Sequence, residues 1–307
     1  MTHVVDAHAH VVVPGLGADV SWRDGAQLVS LAGKEIRSAV REFVHLERIL
    51  EEQDRAGVDR VVLCPWVTLL GRDPERQNEA LAGLVGERVS ALGTVDLEQP
   101  EQLRELMRDG RLSGVEVAAS VGGRYLGDER FAEFWAAAEE TEALVFVHPT
   151  TRGFELPVFD DYYLWNSVAN PLETTVTAAH MVFAGVLEQH PNLRVLLAHG
   201  GGAIFALRGR LRHAHSFQPQ ARSALGESPE ESLRRFYYDT VTHDVTLLRQ
   251  LVDEVGADHV LCGSDYPFDM GVERPAEIVR ALGLPAQDEE AILGGNALRL
   301  LGQEVQA

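Results

Sequence analysis

The chain has 307 residues, of which 45% are hydrophobic and 24% are charged. This length and balance can bury a large core, either as one α/β barrel or as two smaller domains. The net charge of −20 disfavours nucleic acid and anionic membranes as partners. No apolar run approaches the length of a membrane span, and the first residues lack a basic region followed by an apolar core. We therefore expect no nucleic-acid partner, no membrane partner and no targeting segment.

The two cysteines and the single lysine further restrict the kinds of reaction that the protein can catalyse. Cys64 and Cys262 each follow an apolar run that predicts a strand, so we expect buried, reduced thiols and a cytoplasmic location. Lys34 is the single lysine, and it does not lie in a GxxxxGK[ST] loop, which excludes that phosphate-binding motif. A Schiff-base mechanism would depend on Lys34 alone. The many arginines instead suit recognition of carboxylates by paired donors.

Short apolar runs alternate with segments of helical periodicity along most of the chain. Eight strands are predicted: His3–Ala7, Arg60–Cys64, Val89–Val95, Gly114–Val117, Leu144–Val147, Leu193–Ala198, Phe236–Asp239 and His259–Gly263. The predicted helices are Leu46–Ala56, Pro74–Val85, Pro100–Arg108, Asp128–Glu139, Glu173–His190, Pro229–Arg235 and Val245–Val255. This alternation predicts an α/β fold, a (β/α)8 TIM-type barrel. An open doubly wound sheet is the alternative, although no GxGxxG follows the first strand.

Two segments interrupt the alternation within what we predict to be a single domain, 1–307. Residues 11–45 form a long excursion after the first strand. Residues 149–171 are rich in aromatic side chains and follow the fifth strand, so they form either a lid or pocket wall, or a packed surface loop.

Five polar side chains carry the candidate chemistry. His8 and His10 project from one face of the first strand, because alternate residues of a strand do so. His148, His199 and Asp265 each end or closely follow a later predicted strand, and barrel strands present such groups at one end. Singly, each histidine reads as a core residue and Asp265 as a turn cap. Together they suit Zn²⁺ or a similar divalent ion, with one histidine left as acid or base.

Several motifs follow one another in a characteristic order: Pro171–Thr175 (PLETT), Leu197–Ala203 (LAHGGGA), Phe236–Thr240 (FYYDT) with His243 and Asp244, Gly263–Phe268 (GSDYPF) and Gly294–Ala297 (GGNA). With the paired histidines, this set resembles the amidohydrolase superfamily of metal-dependent (β/α)8 barrels. More narrowly, it is similar to the branch typified by 2-amino-3-carboxymuconate 6-semialdehyde decarboxylase, over most of the chain.

The resemblance implies roles for the five polar side chains. His8, His10, His148 and Asp265 match the ligands of one divalent metal ion, Zn²⁺ first and Mn²⁺ as the alternative. His199 matches the histidine that activates metal-bound water and handles the proton, and Asp265 belongs with it to the catalytic group.

The resemblance also implies substrate-binding residues. Arg37 and Arg210 match arginines that hold the substrate carboxylate, and Arg210 matches one that reaches into the neighbouring subunit, which implies a homodimer. Without the resemblance, Arg210 reads as a helix-surface arginine. Trp165 and Asn166 lie in the aromatic loop, where Asn166 stands in place of the family's tryptophan, so the substrate need not be that semialdehyde.

Glu116 follows the fourth strand, where two-metal hydrolases of the superfamily can use a carbamylated lysine. No lysine is present there, which favours a single ion, and Glu116 is expected to be an interior polar residue or a partner of a metal ligand.

The prediction is therefore a metal-dependent, non-oxidative decarboxylase of a small unsaturated or aromatic carboxylic acid. The alternative is a hydrolase that uses the same site on an ester, lactone, amide or carbon–carbon bond. A catalytically silent binding protein would need a lost ligand, and all the ligands are present.

Overall fold

The computed structural model describes residues 3–13, 19–23, 26–31, 34–37, 41–152 and 154–303. Its strands are β1 (Val5–Val11), β2 (Asp19–Arg23), β3 (Ala26–Leu31), β4 (Lys34–Arg37), β5 (Arg60–Pro65), β6 (Val89–Ala91), β7 (Gly114–Ala118), β8 (Ser120–Val121), β9 (Arg124–Tyr125), β10 (Leu144–His148), β11 (Arg194–Leu197), β12 (Tyr237–Asp239) and β13 (Val260–Leu261).

The α-helices lie between the main strands and after the last one. They are α1 (Leu46–Ala56), α2 (Pro74–Ala82), α3 (Pro100–Asp109), α4 (Ala132–Glu140), α5 (Asn170–Phe183), α6 (Val186–Gln189), α7 (Ile204–Phe217), α8 (Pro229–Leu233), α9 (Val245–Val255), α10 (Pro275–Arg280), α11 (Ala286–Glu290) and α12 (Asn296–Leu300). Among the described residues, none of the helices is long and apolar enough to span a membrane.

The main strands form a parallel barrel. Its two hydrogen-bonded arcs have the strand orders β1-β5-β6 and β7-β10-β11-β12-β13, and within each arc the strands are parallel. The amide of Gly93, just after β6, donates to the carbonyl oxygen of Gly114 on β7 at 2.8 Å and joins the arcs on one side. On the other side the amide of Ala7 donates to the carbonyl oxygen of Cys262 at 2.9 Å. The (β/α)8 barrel predicted from the sequence is confirmed.

Two apolar layers hold the barrel together. Inside it, Val5, Val62, Leu92, Phe146 and Leu196 are almost completely buried in one cluster. A larger layer fills the space between the strands and the surrounding helices. Burial of apolar side chains on both faces explains why the strands appear in the sequence as short, continuous apolar runs rather than as alternating patterns.

Several boundaries differ from the predicted ones for local reasons. The predicted first strand ends at Ala7, whereas β1 continues to Val11, so both of its histidines lie within the strand. The predicted helix Glu173–His190 is two helices, because Gly185 adopts a left-handed conformation (φ 70°) between α5 and α6. The predicted excursion 11–45 contains the antiparallel strands β2, β3 and β4.

The two cysteines are free and buried, as predicted. Burial raises the pKa of the Cys64 thiol well above its ordinary value and raises that of the Cys262 thiol as well. Both thiols are therefore protonated, apolar-like core groups.

Candidate functional site

The first strand brings two imidazoles to one point inside the barrel. His8 and His10 are completely buried, and their Nε2 atoms lie 3.1 Å apart. The pairing of β1 with β5 shifts between Asp6 and Ala9, so the strand is irregular where His8 sits. The aromatic ring of Phe146 lies 4.7 Å from the His8 ring, measured between centroids, and packs against the pair.

The ends of two other strands complete the cluster. Asp265 Oδ1 lies 3.1 Å from His8 Nε2, 3.6 Å from His10 Nε2 and 3.9 Å from His148 Nε2. One donor atom from each of these residues lies within 4.8 Å of all the others, and the four side chains are buried. Three imidazole nitrogens and one carboxylate oxygen are a donor set that Zn²⁺ and related divalent ions prefer.

The hydrogen bonding within this cluster supports its use for a cation. His148 Nε2 and Asp265 Oδ1 are buried, yet neither has a well-directed hydrogen bond within the described chain. Buried polar atoms without partners are rare in folded proteins, and each calls for a missing partner. These two point into the same space as the facing Nε2 atoms of His8 and His10, so the residues fit a bound metal ion.

The outward-facing nitrogen of each histidine ligand has its own acceptor. His8 Nδ1 donates to Asp239 Oδ2 at 2.6 Å, and His148 Nδ1 donates to the carbonyl oxygen of Pro149 at 2.9 Å. His10 Nδ1 donates to the carbonyl oxygen of Pro65 at 3.2 Å. These contacts fix the tautomer in which each Nε2 lone pair faces the shared space, as metal-binding histidines require.

The buried surroundings shift the pKa values of His148 and His8 in opposite directions. Burial lowers the pKa of His148 to about 3, so its ring is neutral and its Nε2 lone pair is free to bind a cation. Burial also opposes a charge on His8, but the carboxylates of Asp265 and Asp239 outweigh it and raise the pKa of His8 to about 10. Because a metal binds only the unprotonated nitrogen, ion and proton compete for His8 Nε2.

Asp265 is held as a carboxylate. Burial alone would raise its pKa, but the charge on His8 and the neighbouring imidazoles of His10, His148 and His199 keep that pKa well below the ordinary value. Asp265 thus supplies the negative charge of the donor set at any pH near neutrality.

His199 lies beside the four candidate ligands rather than among them. Its Nε2 is 3.3 Å from Asp265 Oδ2, and 13% of its side chain is exposed. His199 and Asp265 both adopt left-handed backbone conformations, each with φ 57°. Such conformations in non-glycine residues cost energy and cluster at functional sites. In this arrangement the Asp265 carboxylate orients the His199 imidazole beside the metal position.

The glycines after His199 let this turn pack closely against α5. Gly202 has φ 66°, and a Cβ atom there would lie 2.0 Å from the carbonyl oxygen of Pro171. The LAHGGGA and PLETT motifs are therefore in direct contact. A side chain at Gly202 would push the turn, and His199 with it, away from the barrel.

Three buried carboxylates that support the site were not singled out from the sequence. Asp239 accepts hydrogen bonds from the amides of His199 (2.9 Å) and Gly200 (2.8 Å) in addition to the one from His8. Asp6 accepts from the amide of Ser264 at 2.9 Å. Glu173 accepts from the amides of residues 150 and 151 at 3.1 and 2.9 Å and holds the loop that follows His148.

The rim of the site is built differently. Trp165 and Asn166 are partly exposed, and the guanidinium carbon of Arg152 lies 3.9 Å from the centroid of a Trp165 ring. The hydroxyl of Tyr163 donates to Asp269 Oδ1 at 2.8 Å and ties this loop to the segment that follows Asp265. The structure therefore places the aromatic segment beside the loop that carries a candidate ligand.

The two predicted substrate arginines have different outcomes. Arg37 is the last residue of β4, but the structure describes only its backbone and not its side chain. Arg210 is exposed on α7 and has no ion pair or hydrogen bond among the described residues. Its neighbours on the same helix do: Arg208 pairs with Glu254 at 2.7 Å, and Arg212 with Glu230 at 3.0 Å.

Known proteins share both the sequence and the fold. A family model described as amidohydrolase matches residues 5–303. The 2-amino-3-carboxymuconate-6-semialdehyde decarboxylase of Dictyostelium discoideum is 30% identical over 274 residues, which cover 82% of this chain and 75% of that protein. The 6-methylsalicylic acid decarboxylase of Penicillium expansum is 28% identical over 182 residues, covering 58% of this chain and 56% of that protein.

Among solved structures, 5-carboxyvanillate decarboxylase LigW from Sphingomonas paucimobilis has a TM-score of 0.82 at 20% identity, over 99% of this chain and 100% of that one. A parallel (β/α)8 barrel with histidines and an aspartate at its strand ends defines the class of metal-dependent barrel enzymes. The chain belongs to the amidohydrolase superfamily. The predicted resemblance to its decarboxylase branch is confirmed by these relatives.

Proposed function

We propose that this protein is a metal-dependent, non-oxidative decarboxylase of a small aromatic or otherwise unsaturated carboxylic acid. The observation that carries the proposal is that one donor atom from each of His8, His10, His148 and Asp265 lies within 4.8 Å of the others. Beside them, His199 is hydrogen-bonded to Asp265 at 3.3 Å. The relatives named above are decarboxylases, which supports this reaction over hydrolysis.

The four side chains would hold one divalent ion, Zn²⁺ or Mn²⁺. When bound, such an ion supplies a Lewis acid that can orient the substrate's oxygen atoms and offset negative charge. The remaining work falls to the protein. Asp239 accepts hydrogen bonds from the ring of His8 and from the backbone amide of His199. It therefore fixes the position of His199 relative to the ion that His8 would bind.

The reaction needs one proton at carbon. The proton is added to the ring or alkene carbon that carries the carboxylate, and the bond from that carbon to the carboxylate then breaks. The electron pair of the broken bond returns to the conjugated system and CO₂ leaves. His199, which is hydrogen-bonded to Asp265, can carry this proton. Phe146 is completely buried and packs against the rings of His8 and His10, which helps to exclude water from the site.

Substrate recognition involves the rim. Trp165 and Asn166 would contact the body of the substrate, and Arg37 and Arg210 would bind its carboxylate groups. Arg210 has no partner among the described residues while both neighbouring arginines of α7 are paired, which supports a role toward another subunit. We therefore propose a homodimer in which Arg210 serves the neighbouring site. A cytoplasmic location and a single domain over residues 1–307 stay predictions.

The test combines metal analysis with a substrate screen. Purified protein is analysed for zinc and manganese, and CO₂ release is measured from hydroxy- and amino-substituted benzoates and from muconate semialdehydes. We expect about one ion per chain and CO₂ release that stops when a chelator removes the ion. Ion binding with hydrolysis of esters or lactones, and no CO₂ release, would instead establish a hydrolase. Failure to bind any divalent ion after reconstitution would refute both.

A further inference from the structure

Glu116 is a completely buried carboxyl group in the barrel interior. It lies on β7, and neither of its oxygens has a hydrogen-bond partner within the described chain. His10 Nδ1 lies 3.7 Å from Glu116 Oε1. An interior carboxyl group without hydrogen-bond partners is costly, so a fold that keeps one should gain something from it elsewhere.

The three histidines of the metal site show what Glu116 adds. Two of them, His10 and His148, donate from Nδ1 to backbone carbonyl oxygens, and His8 donates to the carboxylate of Asp239. A carboxylate behind a metal-bound imidazole makes the ring a stronger donor than a carbonyl does. His10 has both kinds of group behind Nδ1: the carbonyl oxygen of Pro65 at 3.2 Å and the carboxyl group of Glu116.

We propose that Glu116 is a positioning residue for the metal site: it faces the Nδ1 side of His10, and its negative charge strengthens the hold of His10 Nε2 on a divalent ion. The inference rests on the proposed use of the site to bind such an ion. Glu116 is not among the four candidate ligands, and it acts through His10.

A purely structural role of Glu116 and a role in metal binding predict different effects of Glu116→Gln on metal affinity. If Glu116 merely fills space in the core, its amide analogue should leave metal affinity unchanged. If its charge serves the ion, Glu116→Gln should weaken metal binding. The same change should leave the chelator-treated protein as stable as the parent or more stable, because it removes a buried carboxyl group that has no hydrogen-bond partner among the described residues. Opposite signs for metal affinity and thermal stability are therefore the expected result.

The experiment uses the full chain treated with a chelator and then titrated with Zn²⁺ against a chromophoric competitor. We expect Glu116→Gln to weaken Zn²⁺ affinity by about 10- to 100-fold, the usual effect of losing an outer partner of a ligand. Glu139→Gln is the matched control. Glu139 pairs with His190 at 3.0 Å, and that histidine is not a candidate ligand, so affinity should stay within about twofold.

Each outcome has a definite meaning. Equal Zn²⁺ affinity of Glu116→Gln and the parent protein would overturn this inference and leave the proposed decarboxylase intact. A Glu116→Gln protein that does not fold would also overturn it, since the carboxyl group would then be needed for folding itself. A parent protein that binds no divalent ion would instead refute the proposed function. As a second variant, Glu116→Asp keeps the charge farther from His10, and its affinity should be intermediate.

Discussion

The strand ends at the barrel mouth and the rim around them are built on opposite principles. At the strand ends, His8, His10, His148 and Asp265 are buried, and the outer nitrogen of each histidine has an acceptor. At the rim, the segment formed by residues 154–163 carries exposed apolar and aromatic side chains. Leu156, Val158 and Tyr162 expose 52%, 70% and 90% of their surface.

This difference separates the chemistry of the reaction from the choice of substrate. A buried centre with fixed hydrogen-bond partners has little freedom to adjust, so it suits a bond-breaking step that many substrates can share. An exposed aromatic loop can change in sequence without disturbing that centre. We therefore expect substitutions at the centre to affect turnover most, and substitutions at the rim to affect substrate affinity and preference.

The largest effect is expected from Asp265→Asn. The substitution keeps the size of the side chain but removes the one anionic donor of the metal cluster and the partner of His199. Metal content should fall to near none, and CO₂ release should fall by about 10⁴-fold or more. Elemental analysis and initial rates measure this, with a melting curve to show that the protein folds. A variant that keeps its metal and its rate would remove Asp265 from the centre.

His199→Ala should separate proton handling from metal binding. Because His199 lies beside the cluster and not in it, the variant should keep about one ion per chain. Turnover should fall by about 10²- to 10⁴-fold, the usual contribution of a general acid or base. His190→Ala is the control, since that histidine pairs with Glu139 instead of a site residue. Nearly normal turnover in His199→Ala would contradict the assignment.

The centre was largely predictable from the sequence, because local patterns determine it. The two-residue spacing of His8 and His10 within a strand sends both side chains to one face. His148, His199 and Asp265 were found by the apolar runs that precede them, and the barrel topology brings those runs together. The carboxylates behind them were not, since their partners are distant: Asp239 is 231 residues from His8, and Asp6 is 258 from Ser264.

The rim was less predictable for a related reason. Arg210 was read as a helix-surface residue, but the bounds of α7 were not predicted, because Ile204 is its one buried residue and gives no apolar periodicity. The turns within residues 149–171 depend on left-handed residues such as Tyr162 and Tyr163, which no local propensity favours. The aromatic composition indicated that the segment matters, but it did not indicate the contact between Arg152 and Trp165.

Arg210 tests whether a predicted substrate-binding residue affects substrate affinity and whether it acts on the neighbouring subunit. Arg210→Ala should raise KM by about 10- to 100-fold, the value of a charge-assisted contact to a carboxylate, with metal content unchanged. Mixing this variant with His199→Ala gives the sharper result. If Arg210 serves the neighbouring site, hybrid dimers contain one intact site and activity returns. If it serves its own subunit, each site of the hybrid stays defective and mixing restores nothing.

The smallest effect is expected from Arg152, which contacts the ring of Trp165 at the rim. Arg152→Gln removes the cation from the face of Trp165, a contact worth about 0.5–1 kcal/mol at an exposed position. We expect KM to change by about two- to fivefold, with turnover and metal content unchanged, and Arg152→Lys to retain part of the contact. Steady-state kinetics on two substrates of different size measure this. If turnover instead fell as far as in His199→Ala, Arg152 would belong to the chemical centre, and the separation between centre and rim would fail.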